Sequence, residues 1–183
     1  MQPTNAVYSE SKILVPTQNE ADSLYHDGYG LRLEPHVLTL EPYEALYLME
    51  KERLTLINEE ERRTISFQEL LGQEISKDRL LWTKYIIYRD IRGRGFVAKE
   101  SKEGNASFIV YERGSFRKNP PAYSIYTVYE GMSETIGHLE EVLNKTEITE
   151  RSLKLAVVDR RGEVIYYSLG KLDFDKLRSD IVE

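Results

Sequence analysis

Apolar residues recur along the chain at two periods, and the changes of period mark its elements. Leu81, Tyr85, Tyr88 and Ile91 return every three or four positions, which predicts a helix that starts near Asp78 and is closed by Gly93 and Gly95. The same period over Ala45, Leu46, Leu48, Met49 and Leu54, with Pro42 in the first turn, predicts a helix over about residues 41–52. A third stripe, Ile136, Leu139, Val142 and Leu143, follows Ser133 as its expected cap. Shorter helices are expected over 19–25, running into Gly28-Tyr29-Gly30, and over 66–71, ending at Gly72. Elsewhere β-branched and aromatic residues cluster in short runs that read as strands: around Ala6-Val7-Tyr8, at 12–15 before Pro16, and at 96–99, 107–112 and 123–129. A last pair, 153–158 and 164–169, is joined by a tight turn at 159–163, and polar residues 101–105 form a turn between two earlier strands.

This order predicts a mixed α+β chain: a small N-terminal domain over 1–76 and an α/β domain over 77–172 in which helix, strands, helix and strands alternate. Residues 173–183 are charged and read as a short helix or a tail. At 183 residues with 40% hydrophobic content, the chain has enough apolar side chains for a buried core. No apolar run approaches a membrane span, and the N-terminus has no signal-peptide pattern, so the expectation is a cytoplasmic protein with no membrane role. The absence of cysteine excludes disulfides, thiolate metal sites and cysteine nucleophiles. His26, His36 and His138 are scattered without ligand spacing, and no acidic set with a lysine at close strand spacing would hold magnesium, so neither metal nor cofactor is expected. Arg92-Gly93-Arg94-Gly95 follows a helix and fits a helix terminus better than a phosphate loop. A net charge of −6 argues against gripping nucleic acid over the whole surface. Two basic clusters stand out locally: Arg89, Arg92, Arg94 and Lys99, then Arg113, Arg117 and Lys118.

Three motifs carry more information than composition. Tyr88-Arg89-Asp90-Ile91-Arg92-Gly93-Arg94-Gly95-Phe96-Val97 is followed by Tyr111-Glu112-Arg113-Gly114, with Pro121 ten residues after Tyr111, and then by Ala156-Val157-Val158-Asp159. In that order they resemble the C-terminal, nuclease-like domain of the archaeal tRNA-splicing endonucleases. Leu24-Tyr25 with Gly28-Tyr29-Gly30, and Leu38-Thr39-Leu40 with Glu44-Ala45-Leu46-Tyr47-Leu48, resemble that family's small domain. The resemblance implies tetramers or tetramer-like dimers and a site of three groups: a Tyr acting as base on the ribose 2′-hydroxyl, a His as acid, and a Lys that steadies the charged transition state. Tyr111 matches the first. Pro121 stands where the His is expected, and counting back from Ala156 puts Ser152 where the Lys is expected, so Tyr111 is read as vestigial.

Cleavage by 2′-hydroxyl attack needs a base, a proton donor for the departing 5′-oxygen and a positive charge near the phosphorane. A lone tyrosine, with an ordinary pKa of about 10, is a poor base at neutral pH. Arg151, Lys154 and His138 are possible replacements. Lys154 shares a strand face with Ser152 but stands about 7 Å further along, and Arg151 falls on the opposite face. The resemblance therefore implies a structural, catalytically inactive subunit that assembles with a catalytic paralogue, two plus two, to cleave precursor tRNA at bulge-helix-bulge sites. The alternatives are a self-sufficient endonuclease with relocated groups, or the fold reused as a protein- or RNA-binding module. By the same resemblance, Val164, Ile165, Tyr166 and Tyr167 form an edge completed by a partner, and Asp159 and Glu163 form an acidic docking loop diluted by Arg160 and Arg161. Arg113, Arg117, Lys118 and Lys145 are expected to contact RNA phosphates, Lys145 standing where the family has an Arg at a bulge base.

Overall fold

The structure is a computed structural model that describes residues 2–34, 36–102, 107–129 and 133–170. The expected segment at 173–183 lies outside these residues, as does part of the expected turn at 101–105. The chain forms two compact units, Met1–Ala98 and Lys99–Glu183.

The first unit contains β1 (Thr4–Ser9), β2 (Lys12–Val15), α1 (Gln18–His26), β3 (Leu31–Glu34), β4 (Val37–Leu40), α2 (Pro42–Glu50), β5 (Leu54–Asn58), β6 (Thr64–Ile65), α3 (Phe67–Ile75) and α4 (Leu81–Gly93). Its sheet runs β3-β4-β2-β1-β5-β6. The β1–β2 hairpin turns at Glu10 (φ 48°) and Ser11 (φ 63°), both left-handed, which gives the turn whose twist suits a two-residue hairpin. Pro42 supplies the fixed φ that starts α2, and Glu41 and Glu44 form a reciprocal capping box. Residues 43–48 are all buried, so α2 is the central helix of the unit. Tyr43 and Tyr47 carry it onto α4 through Tyr88, with ring centroids 4.9 and 5.7 Å apart.

Three local expectations are corrected. Leu54 opens β5 instead of extending α2, because Glu52 turns the chain with φ 55°. α3 continues through Gly72 to Ile75; an exposed glycine weakens a helix without stopping it, and Ser66 with Glu69 caps this one at its start. β3, β4, β5 and β6 were not expected from periodicity, which runs of two to five residues barely register. By packing, α4 lies with the first unit, which ends at Ala98: it meets α2 through Tyr88 and α3 through Tyr85, whose ring lies 5.4 Å from Phe67.

The second sheet runs β11-β10-β9-β8-β7 and comprises β7 (Val97–Glu100), which spans the division, β8 (Phe108–Tyr111), β9 (Tyr123–Tyr129), β10 (Ser152–Val158) and β11 (Val164–Leu169). β9 and β10 are parallel, so the chain must cross over between them, and α5 (Ile136–Glu147) is that crossover. α5 is capped by Thr135, whose hydroxyl accepts from the His138 backbone, and not by Ser133, which lies too far from the first turn. Val142 and Leu143 of α5 pack with Leu153, Tyr126 and Leu169. The mixed α+β architecture expected from the sequence is the one found.

Candidate active-site face of the second unit

Strand register decides which side chains of this sheet stand together. Ile109 lies opposite Ser124 and Val110 opposite Tyr123, while across the parallel pair Ser152 lies opposite Tyr123 and Leu153 opposite Ser124. Because successive side chains alternate, Tyr111, Ile109, Ser124, Tyr126 and Leu153 share one face, and Val110, Tyr123, Ile125, Ser152 and Lys154 share the other. Tyr111 and Ser152 therefore project from opposite faces. Arg151, immediately before β10, sends a guanidinium Nη1 to the Ser124 hydroxyl at 3.4 Å. The cation that shares the face of Tyr111 is thus Arg151.

Tyr111 ends β8 and leads into a loop closed by its own backbone. The buried Ser115 donates from Oγ to the Glu112 carbonyl at 2.8 Å, and its own carbonyl accepts from the Lys118 and Asn119 amides at 2.9 Å each. Gly114 (φ 69°) and Arg117 (φ 66°) both adopt the left-handed conformation, which glycine tolerates and arginine adopts only under local constraint. The loop leaves Arg113, Arg117 and Lys118 exposed and holds the Phe116 ring at right angles to that of Tyr111, centroids 5.1 Å apart. The Arg117 guanidinium stands 5.9 Å from the Phe116 centroid. Pro121 lies between this loop and β9 and carries no proton to donate.

The remaining candidates are engaged elsewhere. Lys154 donates to the Ser168 hydroxyl at 2.7 Å and sits 5.4 Å from the Tyr123 ring, on the face away from Tyr111. Tyr123 donates to Glu112 at 2.9 Å, and that hydrogen bond, more than burial, raises its phenol pKa. His138 does meet the Tyr111 face: its Nε2 lies 3.1 Å from the Tyr126 hydroxyl, which donates to Glu134 at 3.0 Å. Burial, reinforced by that carboxylate, pushes Tyr126 up to about 12. Lys145 is ion-paired with Glu141 at 2.6 Å along α5, which reduces its charge toward a phosphate.

On β11, Ile165 and Tyr167 are half exposed at 50% and 53%, and register puts them on the Tyr111 face, whereas Val164 and Tyr166 turn to the other. No strand among the described residues pairs with the outer side of β11. The loop expected to dock is a tight turn. Asp159 uses Oδ1 to accept the backbone amides of Arg161 and Glu163 at 2.8 Å each, closing a turn completed by Gly162 at φ 79°. Glu163 is exposed. Sequence reasoning did not single out Phe116 or the Tyr126–Glu134 pair; an aromatic among three loop cations was the available signal for the first, and nothing local signals the second. Among the described residues, no three acidic or histidine side chains converge as a metal site, and no helix is long and apolar enough to cross a membrane.

A tyrosine and an arginine thus share one face of a mixed sheet, beside a loop carrying three exposed cations, in a chain built of two compact units. Residues 4–71 match the family model described as tRNA intron endonuclease, N-terminal domain, and residues 81–166 match tRNA intron endonuclease, catalytic C-terminal domain. Both halves point to one family, and the chain belongs to it: it is a member of the tRNA intron endonuclease family. A protein named tRNA-splicing endonuclease from Methanococcus vannielii is 28% identical, over 91% of this chain and 93% of that one. One of the same name from Thermococcus kodakarensis is 24% identical, over 91% and 96%. A third, from Pyrococcus furiosus, is 28% identical, over 78% and 80%.

Proposed function

We propose that this chain is the structural, catalytically inactive subunit of a cytoplasmic tRNA-splicing endonuclease, joined to a catalytic paralogue in a two-plus-two heterotetramer that cleaves introns at bulge-helix-bulge sites of precursor tRNA. The observation that carries this reading is Pro121. Transesterification by the 2′-hydroxyl stalls unless the departing 5′-oxygen receives a proton, and proline has none to give. Tyr111 supplies a phenol and Arg151 a guanidinium on its face, so a base and a charge without an acid leave the reaction incomplete. The work of the chain is then placement. The outer side of β11, with Ile165 and Tyr167 at its surface, offers backbone groups and apolar area to a partner strand. Arg113, Arg117 and Lys118 offer charge to the RNA backbone, and Lys145, held by Glu141, offers less.

A second reading, a self-sufficient endonuclease, is favoured by one observation: Arg151 and His138 both reach the face of Tyr111. It requires His138 to leave Tyr126 and act as the acid. Cleavage of an intron-containing precursor tRNA without added metal separates the two. The test compares this chain alone, a paralogue carrying the Tyr, His and Lys alone, and both mixed. Cutting by the mixture only supports the subunit; cutting by this chain alone, abolished by His138→Ala, supports the enzyme. Cutting by neither the mixture nor the chain points to a fold reused for binding.

A further inference from the structure

We infer that Tyr111 acts here through its ring and not its hydroxyl: with Phe116 it forms an aromatic platform on which an unpaired nucleotide of RNA stacks, with Arg117 beside it. This rests on the RNA-processing role proposed above and assigns that role a residue, Phe116, and a ligand, a single-stranded base. The two rings stand edge to face at 5.1 Å, an arrangement that fixes both planes. Phe116 is only half buried, so part of its ring remains open to solvent. The loop that presents it is pinned by the Ser115 hydrogen bonds and by two left-handed residues, so the ring is positioned before any ligand arrives. Arg117 stands 5.9 Å from the same centroid, and Arg113 and Lys118 are exposed on the same loop. Half-open aromatic rings among cations are how proteins hold single-stranded nucleic acid: bases stack on the ring and phosphates meet the charges. Tyr111 sets the plane of Phe116 and is a positioning residue in this scheme. It needs its ring, whose edge contact survives loss of the hydroxyl.

The test measures binding of a fluorescein-labelled bulge-helix-bulge RNA, and of the same RNA with abasic bulge positions, to the chain mixed with its catalytic paralogue. Phe116→Leu keeps apolar volume without the ring and is expected to weaken binding of the base-bearing RNA by about 5- to 150-fold. It should leave the abasic RNA unchanged. Tyr111→Phe is expected to stay within about twofold of wild type, and Phe116→Trp to retain affinity, while circular dichroism confirms that all variants fold. Equal binding of base-bearing RNA by Phe116→Leu and wild type overturns the inference, as does a loss in Tyr111→Phe that matches Phe116→Leu. So does a wild type that does not distinguish the two RNAs. These outcomes leave the subunit role standing so long as the mixture still cleaves precursor tRNA. A mixture that binds base-dependently and never cleaves overturns the subunit role instead.

Discussion

Replacing Glu44 by Ala should destabilise the first unit by about 2 kcal/mol. The side chain is 1% exposed, and its Oε2 accepts the Gly30 amide at 3.0 Å and the Glu41 amide at 3.1 Å. An unmet buried donor costs about 1–3 kcal/mol, and here the buried Gly30 amide loses its acceptor together with the part-buried Glu41 amide. The lost atoms also leave a cavity, but removing the carboxylate relieves its own desolvation, which holds the net effect at the low end. In a unit of this size about 2 kcal/mol lowers the melting temperature by roughly 8–16 °C. Trp82 is the only tryptophan in the chain and lies on α4, so urea unfolding followed by its fluorescence reports this unit. Gly30→Ala should also destabilise, since a β-carbon there would lie 2.6 Å from the Thr39 carbonyl oxygen at φ 64°. Because the Gly30 amide donates to Glu44, the two positions are in direct contact and their effects should depart from additivity in a double-mutant cycle. A Glu44→Ala loss below about 0.5 kcal/mol would refute the reasoning, because the two amides could not then depend on that carboxylate.

Glu69 should titrate near 2 by NMR, because the Ser66 amide and then the Arg63 guanidinium bind its ionised form. The cap of α3 is therefore fully made above the ordinary value of 4.5 and lost as pH falls through about 2. Ser66→Ala removes one hydroxyl interaction and should move the midpoint upward. In absorbance titration Tyr126 should ionise near 12, and Glu134→Gln should bring that value down. Its neutral form is favoured in the fold, so its contribution to stability is complete below the ordinary phenol value of 10 and disappears as pH rises through about 12. Asp159→Ala strands two turn amides at the surface and should cost about 1 kcal/mol, with Asp159→Asn largely retaining stability because its carbonyl still accepts; equal melting of the two variants would contradict the turn role.

Long, strongly periodic segments were readable from residues alone. α4 and α5 carry uninterrupted apolar faces, and the strands from β8 to β11 are rich in aromatic and β-branched residues. The first sheet was less readable because β3 and β4 have four residues each and β6 has two, too few for an alternation to rise above chance. Which side chains share a face with Tyr111 was not readable, for a different reason. Spacing along one strand shows that Arg151 and Ser152 face opposite ways, but which of them shares a face with Tyr111 depends on the pairing of β8 with β9 and of β9 with β10. Those registers are set by contacts far apart in sequence. Ser133 and Thr135 pose the same problem on a smaller scale: both are good caps, and only the position of the first helical turn selects Thr135.

β11 hydrogen-bonds to β10 alone among the described strands, and β10 in turn depends on β9 and on the α5 crossover. A ribosome delivers these pieces in that order, so the edge strand emerges after the scaffold that must receive it. If the partner subunit docks on β11, docking doubles as quality control: a nascent or damaged chain whose sheet is unfinished has no edge to offer. On the role proposed above, only completed copies would then enter the assembly, and a subunit that works by placement would still be selected for sound folding.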